Sequence, residues 1–300
     1  MDALKRDGYG VVSIDLPKPN MLVVPATING AKLKLILDTG FAGEGIALDA
    51  VHAHRLGVGS ASPKVEGESA SGKKVSVQSK GTGSVTLGNA QIQGVPLSFG
   101  DFRGLRDSDA FSTGTHIDMS GFLEANGFLS SGFMRTCSAV IDLHNRLLYV
   151  RPPRTGRRAV LGPALTAVGL AAVPFQQIDN NCVAEVEING VPTHLIMDTG
   201  SVLTHIDFKF ADQIKASGVV SNYESRDIAG AKDREMRQAS LSSFKMAGVP
   251  VRVANVQLAH LGCYSSSGGK IAGFLGMDVL GQNWSIIDFG EQKLYIAKAR

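Results

Sequence analysis

Apolar and polar residues alternate with a period of two along much of this chain, in short stretches. Val24–Ile28 and Ala184–Ile188 alternate up to an Asn-Gly pair, and Lys32–Leu37 and His194–Met197 resume beyond it. Strand, Asn-Gly, strand predicts a β-hairpin, because both central residues of a type I′ turn need positive φ. Val75–Leu87, Ile92–Phe99, Gln238–Phe244 and Val249–Leu258 read as further strands. Ala47–Leu56 and Ile206–Ile214 read as short helices, with Gly57 and Gly218 where helix stops belong. The pattern predicts an all-β protein with short helices.

The alternation also repeats. Val24–Gly40 lies over Ala184–Gly200 at a constant offset of 160, with eight identities in 17 positions. Gly127–Tyr149 lies over Gly273–Tyr295 at an offset of 146. The first copy therefore carries a longer middle, assigned to the polar stretch Asp101–Met119. Two copies of one unit predict a lobe over 1–152, a linker over 153–168 and a second lobe over 169–300. The joint is rich in proline, glycine and arginine, and Arg151, Arg154, Arg157 and Arg158 read as a solvated connector rather than a patch for an anionic partner.

Composition narrows the function classes. Glycine is 35 of 300 residues, charged residues are 19% and hydrophobic residues 44%, which excludes a disordered chain and a coiled coil. A net charge of +3 is too small to argue for nucleic acid. Cys137, Cys182 and Cys263 form no CxxC pair and no Cys/His cluster, so no metal is expected. The apolar stretch Ala159–Phe175 is broken by Gly162, Pro163, Gly169 and Pro174, so no membrane span is expected. The first ten residues carry no apolar leader core. That implies a cytoplasmic protein if Met1 is the native start, and an exported one if a leader has been removed. Met1–Asn20 could pack beside a cleft.

The repeat places its chemistry at one point. Asp38-Thr39-Gly40 and Asp198-Thr199-Gly200 each end an apolar run, Leu35-Ile36-Leu37 and Leu195-Ile196-Met197. An aspartate at the end of a buried strand is costly unless it is paired or hydrogen-bonded. If the copies are related by a pseudo-two-fold axis, the two carboxyls meet there and share one proton, since two adjacent like charges cannot both ionise. One carboxyl then serves as general base toward a water and the other as general acid. Thr39 and Thr199 can bond to the opposite loop, and Gly40 and Gly200 allow close backbone approach.

Hydrophobic-hydrophobic-Asp-Thr-Gly, followed downstream by Phe274-Leu275-Gly276-Met277-Asp278-Val279-Leu280, resembles the retropepsin-like aspartic proteases. The resemblance covers nearly the whole second copy and, less closely, the first. It implies a bilobal acid-protease fold of two barrel-like lobes, on one chain that acts as a monomer and intramolecular pseudo-dimer. It implies an aspartic endopeptidase acting on peptide or protein substrates, with Asp38 and Asp198 catalytic and no cofactor. Thr39, Gly40, Thr199 and Gly200 would support the dyad. Gly67–Val77 and Asp227–Met236 would be flaps over the substrate, with Ala70, Ser71, Gly72, Ala229, Gly230 and Ala231 at their tips. Two departures from the family pattern stand in the first copy: Phe41 where a small or hydroxyl residue is usual, and Ser130 in place of glycine. They keep a second reading open, a catalytically silent peptide-binding module on the same scaffold.

Other polar candidates read as structural. His52 and His54 have no counterpart pair in the second copy and read as solvated helix histidines rather than metal ligands, while His205, close to the second Asp-Thr-Gly, reads equally as lining the cleft or as a surface or satisfied residue. Asp142 and Asp288 repeat at the closing strand and suit a strand-end or turn role. Asn283-Trp284-Ser285 matches a glycosylation sequon but reads as part of a strand.

Overall fold

Both Asn-Gly pairs close two-residue hairpins. In the computed structural model, Asn29 and Gly30 have φ of 49° and 86°, and Asn189 and Gly190 of 50° and 83°. The structure describes residues 1–17, 21–56, 64–70, 72, 74–102, 105, 125–153, 158–178, 180–221, 225–226, 232–233, 235–253 and 255–298. Strands Val23–Ile28 and Ala31–Leu37 pair antiparallel with Ile28 opposite Ala31. Asn181–Ile188 and Val191–Met197 pair likewise with Ile188 opposite Val191. The turn asparagines also fasten each hairpin to its neighbour. Asn29 Oδ1 accepts from the Ser84 N–H, and Asn189 Oδ1 accepts from the Ser242 and Ser243 N–H groups.

The second repeated segment lies beside the first. Leu35–Leu37 pairs in parallel with Gly127–Leu129, and Leu195–Met197 with Gly273–Leu275. Gly127 and Gly273 are required there, because a Cβ would strike the carbonyl oxygens of Ala47 and His205. In the first lobe six strands close into a barrel: Val23–Ile28, Ala31–Leu37, Gly127–Leu129, Ile46–Asp49, Ala90–Gly100 and Lys74–Leu87. Ile28 opposite Val85 completes the ring. The second lobe keeps the order, and Phe244–Met246 returns to Asn181–Ile188.

Three expectations about elements need correction. Gln238–Phe244 is not continuous: Arg237–Ala239 and Phe244–Met246 are separate strands. Ser242 and Ser243 give their amides to the Asn189 side chain and so leave the ladder. Val249–Leu258 likewise divides into Val249–Pro250 and Val256–Ala259. The helices after each Asp-Thr-Gly begin later than expected. Ile46–Asp49 and His205–Asp207 are strands, followed by a 3-10 helix over Ala50–Leu56 and an α-helix over Phe208–Ala211. Asp49 accepts from the Val51 N–H and Asp207 from the Lys209 N–H, so each helical turn starts after its capping aspartate. Gly57 lies outside the described residues.

A six-stranded antiparallel sheet joins the lobes, in the order Gly10–Ser13, Leu147–Val150, Val140–Asp142, Ile286–Asp288, Lys293–Ala297, Leu170–Ile178. Its two central strands are repeat equivalents, paired so that Ile141 faces Ile287. The pseudo-two-fold axis therefore passes through this pair. The N-terminal residues, expected beside the cleft, instead supply the edge strand Gly10–Ser13 and the helix Asp2–Arg6. The largest apolar cluster runs through both barrels and this sheet.

The connector is less solvated than its composition suggests. The Arg151 guanidinium is buried and bonds Asp7 at 2.7 Å. Arg158, largely buried, pairs with Asp288, whose side chain is fully enclosed. Arg154 and Arg157 lie outside the described residues. Among the described residues, no helix is long and apolar enough to cross a membrane.

Candidate active site

Two fully paired strands deliver the two aspartates to the pseudo-two-fold axis. The Asp38 N–H donates to the Leu129 carbonyl at 3.1 Å, and the Asp198 N–H to the Leu275 carbonyl at 3.0 Å. Each aspartate is thus held by the strand parallel to its own. The two carboxyl groups face each other across the axis, close enough for the charge of Asp38 to act on Asp198. Asp38 Oδ1 accepts from the Gly40 and Phe41 amides, both at 2.9 Å, and Asp198 Oδ1 from the Gly200 amide at 2.9 Å.

The glycines of the motif are required by proximity. A Cβ on Gly40 would sit 2.5 Å from Asp198 Cγ, and one on Gly200 would sit 2.6 Å from Asp38 Cγ. Each glycine therefore makes room for the other lobe's carboxylate. The threonines interlock below them. Thr39 Oγ1 donates to the Met197 carbonyl at 2.6 Å and accepts from the Thr199 N–H at 3.0 Å. Thr199 Oγ1 donates to the Leu37 carbonyl at 2.6 Å and accepts from the Thr39 N–H at 3.1 Å. Both threonines are wholly buried, so all four bonds lie away from water.

Electrostatics follow from this enclosure. Burial pushes the Asp38 carboxyl up to about 6, against the lowering effect of its two backbone donors and of the Asp198 carboxyl beside it. Burial, followed by the negative field of Asp38, holds Asp198 well above the ordinary carboxylate range. The pair titrates as a unit, and between its two steps it carries one proton.

A family model described as aspartyl protease matches residues 24–118 and 184–279, more than half of the chain. The chain belongs to this aspartyl protease family. The two matched regions are the two copies of the repeat, so the family unit occurs in tandem. A search of curated proteins gave no match.

Both departures from the family pattern have a structural account. Ser130 caps the helix Ser131–Thr136 by accepting from the Phe133 N–H, and its hydroxyl donates to the Gly45 carbonyl at 2.6 Å. In the second lobe a Cβ on Gly276 would meet the Leu203 carbonyl at 2.5 Å. At that place in the first lobe a hydrogen bond replaces the close backbone approach. Phe41 keeps its backbone bond to Asp38 and stacks its ring on Phe128 with centroids 5.5 Å apart. Its counterpart Ser201 bonds the Leu203 carbonyl at 2.8 Å and His205 Nδ1 at 3.3 Å.

The segment expected as the first flap is a hairpin of Lys64–Glu68 on Lys74–Leu87, with Glu68 opposite Lys74. At its tip the Gly72 N–H donates to the Ser69 carbonyl, and Gly72 has φ of 78°. Ala70 accepts at 3.1 Å from the Gly262 N–H, so this tip reaches across to the second lobe. Ser71 lies outside the described residues. In the second lobe Ser225–Arg226 pairs with Lys232–Asp233, with Arg226 opposite Lys232. Ala229, Gly230 and Ala231 fall between these strands, outside the described residues. Both intervals, 69–73 and 227–231, are five residues long with glycine fourth.

The remaining candidates fall away from the dyad's immediate contacts or into packing roles. Asp142 accepts from Asn145, and Asp288 from the Gly290 and Glu291 amides, the turn roles expected of them. His52 Nε2 meets the Asn126 amide at 3.2 Å. The side chain of His54 is not among those described. Asn283 is buried and its amide donates to the Arg252 and Val279 carbonyls. It precedes the strand Ile286–Asp288 rather than lying within it, and Trp284 turns the chain with φ of 50°. Burial of this amide leaves no room for a glycan. The three thiols are free, and burial holds Cys137 and Cys263 up to about 12. Among the described residues, no cluster of His, Cys, Asp and Glu could hold a metal. The sequence reading missed the contact of the first flap with Gly262. It also missed the bond from Thr204 Oγ1 to Asp278 at 2.7 Å, which braces the loop after the second Asp-Thr-Gly. Asp278 stands in the quoted downstream motif, where its polar side chain amid apolar neighbours was the available signal.

Proposed function

We propose that the chain is an aspartic endopeptidase, with Asp38 and Asp198 as its catalytic pair and lobes over 1–152 and 169–300 joined by 153–168. The observation that carries this reading is the meeting of two enclosed carboxyls, one from each lobe, each set against the other lobe's motif glycine, with both raised in pKa. With one proton between them, the ionised carboxylate takes a proton from a water held at the axis. The protonated carboxyl donates to the scissile carbonyl oxygen as the water oxygen adds to the carbon. Collapse of the tetrahedral diol breaks the C–N bond as the nitrogen receives a proton. No covalent enzyme intermediate forms, and the chemistry calls for neither metal nor cofactor.

The interlocked threonines fix the two carboxyls within the tolerance such chemistry needs, since misplacement by about 1 Å costs on the order of 100-fold in rate. The flaps would lie over an extended peptide, pair with its backbone and exclude water. The test is incubation with a peptide library from acidic to mildly alkaline pH, mapping cut sites by mass spectrometry. Internal cuts suppressed by a statine-containing peptide are expected. Absence of cuts at every pH overturns the reading.

A further inference from the structure

The two lobes carry equivalent apolar clusters outside their barrels, but the clusters differ in kind. The first gathers Phe41, Phe102 and Phe128 into one aromatic group, with Phe102 and Phe128 fully buried. Phe41 lies parallel to Phe128 and meets Phe102 edge-on at 6.1 Å. The second has Phe274 with Ile196, Met236 and Leu261, and its partly exposed members are Ile178 and Cys263. The partly exposed members of the first are Phe41, Val77 and Val202.

Those three stand on the segments that frame the dyad. Phe41 follows the first Asp-Thr-Gly and donates its amide to Asp38. Val77 lies on the flap strand Lys74–Leu87. Val202 comes from the other lobe, four residues after Asp198. The partly exposed members of the aromatic cluster therefore stand next to the first aspartate's loop, on the hairpin strand and on the loop after the second aspartate. Its buried rings pin Phe41 from one face and one edge, so the ring is preorganised to receive a planar group. Nothing equivalent stands at the second lobe's corresponding position, where Ser201 bonds the backbone instead.

Resting on the hydrolytic reading above, we infer that Phe41 makes the cleft directional. The subsite on the first lobe's side of the dyad selects an aromatic side chain of the bound peptide. Ring-on-ring contact adds to apolar burial only for an aromatic guest.

The test compares two peptides that differ only in Phe or Leu at the selected position, and reads the ratio of their kcat/KM values. The wild-type ratio favours Phe. Phe41→Leu, which conserves apolar volume, lowers that ratio by about three- to tenfold, and Phe41→Ser lowers it further. An unchanged ratio in Phe41→Leu protein that melts like the wild type overturns the inference. Calorimetric binding of reduced-amide versions of the two peptides separates this claim from hydrolysis itself. A Phe preference in binding that Phe41→Leu removes, without any cleavage, sustains the selectivity and defeats the hydrolytic reading. Cleavage with an unchanged ratio does the reverse. Neither binding nor cleavage defeats both.

Discussion

Each aspartate of the pair is raised above the range it would have in an unfolded chain, and two pH effects follow with fixed sign. In catalysis the ionised partner must lose its proton first. kcat/KM should therefore rise through about pH 6 as the pair loses its first proton, and fall at higher pH as it loses the second. An optimum well below that range contradicts the assignment. In stability, a native state that binds more protons than the unfolded one loses stability as pH rises from the unfolded carboxylate range through the folded values. Asp198→Asn removes the Asp198 share of this penalty. It should stabilise the protein at neutral pH. The gain should vanish where both carboxyls are protonated in both states, and melting curves across pH read it. Thr39 gives a separate prediction. Thr39→Ala removes the bond to the Met197 carbonyl and the acceptor of the Thr199 amide in a buried setting. It should cost roughly 2–4 kcal/mol and most of the activity, while Thr39→Ser, which keeps the hydroxyl, restores much of both.

Elements that repeat were legible in the sequence, because identity at a constant offset does not depend on judging propensity. The hairpins, the Asp-Thr-Gly turns and the downstream Gly-Phe-Leu strands all lie where the repeat puts them. Elements judged from apolar runs alone were less legible. Ala47–Asp49 reads as the start of a helix, and tertiary pairing with Ser98–Gly100 made it strand instead. The arginines of the connector misled for a related reason: composition reports solvation only on average, and a buried aspartate from a distant strand is invisible to it. Arg158 is held by Asp288, 130 residues away. Burial raises Asp288 even against that guanidinium, which marks an enclosed pair. Arg158→Ala leaves the fully enclosed carboxylate without its cation. It should destabilise by about 3–5 kcal/mol, measured by chemical denaturation. A loss below about 1 kcal/mol would show the pair to be solvated after all.

At the scale of the whole molecule the lobes are not independent bodies. Six strands from both copies form one sheet, and the largest apolar cluster crosses from one barrel to the other. The threonine interlock and the bond from the Gly262 N–H to the Ala70 carbonyl add further links between the lobes. Unfolding one lobe would expose the other's share of this interface. Calorimetry should therefore show a single transition, with calorimetric and van't Hoff enthalpies equal. Two resolved transitions would mean that the lobes fold separately and that the dyad depends on their docking.

The most direct test of the account is the rate of peptide cleavage by the wild type, Asp38→Asn and Asp198→Asn, each checked for an intact fold by its melting curve. The account predicts that either substitution alone abolishes cleavage, since one carboxyl cannot be both base and acid to the same water, while both variants melt at or above the wild-type temperature at neutral pH. Cleavage that survives either substitution would contradict it.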